Sequence, residues 1–198
     1  DLRDPARPRP LTYKALDEAC NAVAGGLRAA GLQAGDRIAI LALNRWEFVA
    51  TLLGAMRAGV VPVPINIKLP AETVAYIAAD SGAKLVFAEP EFRHLYPHDT
   101  PVIEYVSESG ATGEATAGHD IRRFGTFLKP GTFDAIEPEP DTVAIQPYTS
   151  GSTGRPKGVL LSHYGQNWSR RILCHTRGTT EKDVLLVAAP LYHKNALN

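Results

Sequence analysis

The sequence predicts an α/β fold, a largely parallel sheet flanked by helices. Three features of the first half carry that prediction. Stretches with apolar residues at helical spacing alternate with short, nearly continuous apolar runs. Glycines follow the helical stretches at Gly31, Gly59 and Gly82, where a left-handed residue ends a helix well. The resulting strand–helix–strand order implies parallel strands joined by right-handed crossovers, with helices covering the sheet.

The elements follow in order. Thr12 is placed to cap a helix running to about Ala30, with Leu16, Cys20, Val23, Leu27 and Ala30 on one face. Arg37–Ala42 (Arg-Ile-Ala-Ile-Leu-Ala) is apolar almost throughout, as a strand covered on both faces requires. A second helix spans roughly Arg45–Ala58, its stripe formed by Val49, Leu52, Leu53 and Met56. Val60-Val-Pro-Val-Pro is the next strand or extended segment, and its prolines argue for a sheet edge or an early exit from the sheet. Pro70–Ser81 reads as a third helix with Val74, Ile77 and Ala78 inward, and Lys84–Ala88 as the next strand.

After Glu89 the pattern loosens. Val102–Val106 reads as a strand, Ser107–Gly118 as a surface loop and Asp120–Leu128 as a short helix. Glu137-Pro-Glu-Pro is an extended connector, and Val143–Tyr148 is a strand running straight into a glycine-rich loop.

Composition narrows the function classes. With 198 residues, 44% of them hydrophobic, the chain can bury a sizeable core without disulfides or metals. Lysine plus arginine equals aspartate plus glutamate at 21 each, which gives no reason to expect nucleic acid or an anionic membrane as partner. No apolar run approaches the ~18 residues that would span a bilayer. Cys20 and Cys174 lie far apart in helix-like stretches and form neither a disulfide framework nor a zinc site. Both read as buried or half-buried free thiols, which fits a reducing cytoplasm. The start, Asp1-Leu-Arg-Asp-Pro, has no signal-peptide character and no initiator methionine, and the sequence is read as a fragment.

The chemistry concentrates in Tyr148–Val159, Tyr-Thr-Ser-Gly-Ser-Thr-Gly-Arg-Pro-Lys-Gly-Val. Gly151, Gly154 and Gly158 allow backbone amides to approach an anion closely. Thr149, Ser150, Ser152 and Thr153 add hydroxyls that can follow phosphate oxygens, and Lys157 adds a point charge suited to a polyphosphate. The common NTPase P-loop places glycine before its lysine and serine or threonine after it; here Pro156 precedes Lys157 and Gly158 follows. A G-x-G-x-x-G dinucleotide fingerprint is also missing. On composition alone, a plain hairpin loop rich in Ser, Thr and Gly is the competing reading.

The full string resembles the signature loop of the acyl-adenylate-forming (AMP-binding) superfamily: acyl-CoA synthetases, luciferases and the adenylation domains of peptide synthetases. Leu161-Ser-His163 and Pro190-Leu-Tyr-His193 resemble the next landmarks of that family in order and spacing. Upstream, Leu11-Thr-Tyr-Lys-Ala-Leu, Gly35-Asp-Arg-Ile-Ala-Ile and Gly59-Val-Val-Pro-Val-Pro-Ile-Asn are similar to its N-terminal region, so the likeness covers nearly the whole chain.

The resemblance implies a two-step reaction. ATP and a carboxylic acid give an acyl-adenylate and pyrophosphate, and a thiol, usually coenzyme A, then displaces AMP. No protein nucleophile is needed, so catalysis is positioning and charge stabilisation. By resemblance Thr149, Ser150, Ser152, Thr153 and Lys157 hold the β- and γ-phosphates, and Gly151 and Gly154 give the loop its mobility. His193 matches a family residue near the acyl pocket and the adenylate, with Tyr192 as its aromatic neighbour. Many relatives carry glycine shortly after that motif, where this chain has Asn195-Ala196.

His163 reads as a local packing or capping residue at the start of the next helix. His94, His98, His119 and His175 lack metal-ligand spacing, and Trp46 and Trp168 read as packing residues. The expected whole is therefore residues 1–198 as an incomplete N-terminal adenylation domain of an AMP-forming acid–CoA ligase. Its downstream parts would hold the magnesium-binding glutamate, the catalytic lysine and the coenzyme A face, so the fragment alone is expected to be inactive. The resemblance implies ATP, Mg2+ and coenzyme A for the full enzyme and none of them for folding of this part. The expected partners are a carboxylic acid and the remainder of the same chain, with homo-oligomerisation left open. The alternatives are an adenylation domain that loads a carrier protein, and a non-catalytic phosphate-binding module.

Overall fold

The computed structural model describes residues 10–106, 120–149 and 154–193. The first helix, α1 (Tyr13–Ala29), begins as the sequence predicts, with the Thr12 hydroxyl accepting from the Ala15 amide at 3.1 Å. Its buried face ends at Leu27; Ala30, expected on that face, is the exposed C-cap residue, and Gly31 follows in the left-handed region.

Strand β1 (Arg37–Leu41), helix α2 (Trp46–Arg57), strand β2 (Val61–Pro64), helix α3 (Ala71–Ser81) and strand β3 (Ala83–Ala88) follow in the expected order. Strand β4 (Val102–Glu104) is shorter than its apolar run. The stretch expected as one helix over Asp120–Leu128 is instead strand β5 (Ile121–Arg123) followed by a single turn, α4 (Phe124–Phe127). The strand wins because Val102 and its neighbours offer β5 a free edge, and a three-residue ladder satisfies backbone groups that a lone short helix would leave open. The predicted loop at Ser107–Gly118 lies outside the described residues.

All five strands are parallel, in the order β2-β1-β3-β4-β5. The apolar runs divide residue by residue between the two faces. Ile38, Ile40, Leu85, Phe87, Ile103 and Tyr105 pack beneath α1 and α2, while Ala39, Leu41, Val86, Ala88 and Val102 pack beneath α3. Helices α1 and α2 cross closely because Gly54 has no Cβ; one built there would lie 2.7 Å from the Cys20 carbonyl oxygen and from Val23 Cβ. Of the stripe expected on α2, Leu52 is buried and Val49 and Met56 pack against the same core, whereas Leu53 is exposed; Phe48, Ala50 and Ala55 are buried besides.

The prolines of β2 stand at the sheet edge as predicted. Val61 donates to the Asp36 carbonyl at 2.8 Å on the β1 side, and the Pro62 carbonyl accepts from the Gln146 amide at 3.1 Å on the other. The expected single strand Val143–Tyr148 is two short pieces. Strand β6 (Val143–Ile145) pairs antiparallel with β9 (Leu161–Ser162), and β7 (Tyr148–Thr149) pairs antiparallel with β8 (Lys157–Gly158). Pro147 lies between β6 and β7 and has no N–H to continue one ladder.

Helix α5 (His163–Arg177) closes the described elements, capped by the Ser162 hydroxyl, which accepts from Gly165 N–H at 3.2 Å. It buries none of its residues. Trp168, expected to pack, is exposed there, as is the thiol of Cys174, whereas Trp46 meets Phe124 edge to face at 6.3 Å. Cys20 is buried as expected, and burial raises its thiol pKa. Among the described residues no helix is long and apolar enough to cross a membrane.

Candidate functional site

The β7–β8 hairpin brings the two ends of the glycine-rich motif together. Thr149 and Lys157 are direct cross-strand partners, as are Tyr148 and Gly158. Because side chains alternate along each strand, Thr149 and Lys157 share one face of the hairpin and Tyr148 stands on the other. Lys157 and Thr149 are both exposed. Ser150, Gly151, Ser152 and Thr153 lie outside the described residues.

Two glycines of the motif are required for different physical reasons. Gly154 has φ +87°, a conformation costly for any residue with a Cβ. Gly158 has an ordinary backbone but no room: a Cβ there would sit 2.7 Å from Gln146 Nε2 and 3.1 Å from Tyr148 Cζ. The ring of Tyr148 therefore lies directly against its partner's backbone.

Tyr148 is the hairpin's anchor. Its hydroxyl donates to Asp80 Oδ2 at 2.6 Å, near the C-terminal end of α3, and accepts from Gln146 Nε2 at 3.3 Å. Gln146 Oε1 in turn accepts from Arg37 Nε at 3.4 Å, at the start of β1. Burial first, then the hydrogen bond and charge of Asp80, push the Tyr148 pKa well up, so the phenol stays a donor. The Tyr76 hydroxyl donates to Asp80 Oδ1 at 3.3 Å, and the Arg155 guanidinium lies 5.7 Å over the Tyr76 ring.

Beside the hairpin lies a cleft of about 700 Å³. Thr149, Gly154 and Pro156 line it from the motif, and Tyr192 and His193 line it from the later Pro-Leu-Tyr-His segment. Ile65 and Ile77 supply an apolar side. The cleft thus brings together three of the predicted site residues, Thr149, Gly154 and His193, while Lys157, the cross-strand partner of Thr149, is not on its wall. The His193 amide donates to the Pro190 carbonyl at 2.9 Å, which closes a tight turn, and its side chain is exposed while Tyr192 is buried.

The family model described as AMP-binding enzyme matches residues 3–198. The chain belongs to the AMP-binding enzyme family. The chain is 36% identical over 157 residues to a 3-hydroxybenzoate–CoA/4-hydroxybenzoate–CoA ligase of Thauera aromatica, covering 78% of this chain and 30% of that protein. It is 39% identical over 160 residues to the fatty acid–[acyl-carrier-protein] ligase ScoC of Streptomyces coeruleorubidus, covering 78% of this chain and 28% of the relative. Among solved structures, O-succinylbenzoate coenzyme A synthetase from Bacillus subtilis, in complex with ATP and magnesium ion, superposes with a TM-score of 0.77 at 27% identity. That match covers 96% of this chain and 47% of the synthetase chain. The chain therefore spans about a third of the length of the curated relatives it matches.

Within this AMP-binding chain, the structure also brings in residues that sequence reasoning passed over. Asp80, Gln146 and Arg37 hold the hairpin, and Asn44 holds the segment leading to His193. Asp80, Arg37 and Asn44 have no local signal, since their partners lie on distant elements. His163, expected to pack or cap, is the first residue of α5; Ser162 does the capping. Its amide donates to the Thr142 carbonyl at 2.9 Å, and burial, then Arg170, lowers its pKa. Of the other histidines, His94, His98 and His175 lie on other elements than the cleft wall, and His119 is outside the described residues. Among the described residues no group of three or more His, Cys, Asp or Glu could hold a metal ion.

Proposed function

We propose that this chain supplies the polyphosphate-holding part of an AMP-forming acid–CoA ligase, within the N-terminal adenylation domain of that enzyme. One observation carries the reading: a single cleft is lined both by the phosphate motif and by Tyr192 and His193. A triphosphate at the hairpin would have its α-phosphorus beside the wall from which a carboxylate could approach.

In the proposed first step a carboxylate oxygen of the acid attacks the α-phosphorus of ATP. The new acyl–phosphate bond forms as the bridge to the β-phosphorus breaks, and pyrophosphate leaves. Lys157 and the hydroxyls of Thr149, Ser150, Ser152 and Thr153 stabilise the charge that builds on the departing phosphates. The amides around Gly151 and Gly154 approach those oxygens without a Cβ in the way. His193 orients the acid and the adenylate at the cleft wall, with the Tyr192 ring beside it. The residues present suit a triphosphate: Lys157 pairs across the hairpin with Thr149, and Thr149 and the left-handed Gly154 line the cleft beside it. Magnesium and coenzyme A belong to the same proposal for the whole enzyme. A cytoplasmic setting fits the two free cysteines.

The test is acid-dependent exchange of labelled pyrophosphate into ATP, run on the enzyme that contains this chain with a panel of aromatic and aliphatic acids. Lys157→Ala is expected to lower the rate about a hundred-fold, the scale of losing one donor to developing charge. His193→Ala should weaken use of the acid more than use of ATP. Wild-type exchange in both variants would sink the proposal. Loading of a carrier protein in place of coenzyme A is the second reading, supported by the likeness to an acyl-carrier-protein ligase. Offering the adenylated enzyme each thiol in turn separates the two.

A further inference from the structure

The segment that carries His193 is held by one side chain from the far end of the chain. Asn44 lies in the connection between β1 and α2. Its Nδ2 donates to the Ala189 carbonyl at 2.9 Å, and its Oδ1 accepts from the Leu191 amide at 2.7 Å, across 145 and 147 residues of sequence. The two bonds flank Pro190, which has no N–H of its own, so the side-chain amide supplies the pairing that the proline cannot continue. Only an amide in this orientation matches both groups, since reversing it would set donor against donor and acceptor against acceptor.

Asn44 is itself held on both sides by one carboxylate. Glu89, just past β3, accepts from the Leu43 amide through Oε1 at 2.7 Å and pairs with Arg45 Nη1 through Oε2 at 3.0 Å. Arg45 is buried and is fixed further by Glu47 at 2.8 Å and by the Tyr105 ring at 4.7 Å. From the clamp the chain passes into the turn closed by His193 N–H and the Pro190 carbonyl, with Leu191 and Tyr192 seated in the core. A continuous set of bonds thus runs from the ends of β1 and β3 to the cleft wall.

We propose that Asn44 is a positioning residue that sets where His193 stands against the acid and the adenylate. This rests on the reading of His193 given above. Asn44 touches neither reactant; it acts through the Ala189–Leu191 backbone. An error of about 1 Å at a positioned group costs on the order of a hundred-fold in rate, so the clamp has leverage well beyond its two bonds.

The experiment combines exchange kinetics and amide protection in the enzyme that contains this chain. Asn44→Ala is expected to lower kcat/KM for the acid about ten-fold or more, leave KM for ATP within about two-fold, and expose the Leu191 amide to hydrogen exchange. Asn44→Asp keeps the size but sets an oxygen against the Ala189 carbonyl, and should lose at least as much. The double variant N44A/H193A should be no slower than H193A alone, because both changes remove one effect. Losses that multiply in the double variant, or wild-type use of the acid in N44A with its Leu191 amide exposed, would overturn the inference. Wild-type exchange in H193A would remove the His193 reading and this inference with it, whereas a slow H193A beside a normal N44A removes this inference alone. Asn44→Ser carries the same comparison should N44A fail to fold.

Discussion

Four of the five residues of β1 are buried, whereas β7 and β8 bury none of theirs. The same contrast separates the helices: α1 and α2 each bury half a dozen residues against the sheet, and α5 buries none. The parallel sheet is held by apolar surface on both faces. The hairpin is held largely by directed polar bonds, to Asp80, Gln146 and Pro62, and the segment to His193 by the Asn44 clamp together with the burial of Leu191 and Tyr192. Apolar burial is strong and indifferent to direction, while such bonds are weak and specific about geometry. Under the proposed function, a site that must meet a bulky anion and then release it gains from the second kind of support, provided the first kind keeps the anchors still.

The largest expected effect breaks the sheet side of this comparison. Phe87 is fully buried, with Phe127 edge-on at 5.2 Å and Tyr105 and Phe124 within 6.3 Å. Phe87→Ala should cost about 3–5 kcal/mol in urea unfolding. A loss below about 1 kcal/mol would mean the sheet is not the source of stability.

Gly158→Ala tests the other side. The added methyl meets Gln146 and the Tyr148 ring, and should cost about 1–3 kcal/mol of overpacking, taken up locally. ATP affinity measured by calorimetry should fall while the thermal midpoint moves little. If the midpoint falls as far as in Phe87→Ala, the two regions are one cooperative unit and the contrast fails.

The smallest effect concerns the sheet's own polar support. The Asp36 carboxylate accepts from the Gln33 amide at 2.8 Å and pairs with Lys84 at 2.8 Å. The Gln33 bond first, and Lys84 second, hold its folded pKa below the ordinary 3.8. A depressed carboxylate stabilises the fold above its unfolded pKa and loses that contribution as pH falls through the folded value. Thermal midpoints of the wild type and Asp36→Asn should thus differ slightly at pH 7 and converge below about pH 4. A difference that persists unchanged into acid would show that the charge is not the cause.

What the sequence made legible follows the same division. The sheet strands could be read because each is a local apolar run, and the helices because capping and stop residues such as Thr12, Gly31 and Gly82 act on their neighbours. β5 was hidden because Ile121–Arg123 becomes a strand only beside β4. The break at Gln146-Pro147 was hidden because Gln146 turns to Pro62 rather than continuing toward the hairpin. At the site, Thr149, Gly154 and His193 were marked by their motifs, and the cleft unites them. Asp80 and Asn44 were invisible, since an aspartate in a helix or an asparagine before one has many ordinary uses. Their meaning lies in partners 68 and 145 residues away.

The edge strand β2 has a consequence for association. Val61 and Ile65 spend their amides on β1, and the intervening prolines have none to offer outward. That rim of the sheet therefore presents acceptors without donors. An incoming β-strand, which must give and take in alternation, finds half its bonds refused, so the rim resists the edge-to-edge stacking that seeds aggregates. A segment that arrives donor first is still welcome, and Gln146, at the root of the hairpin, is the one that does so.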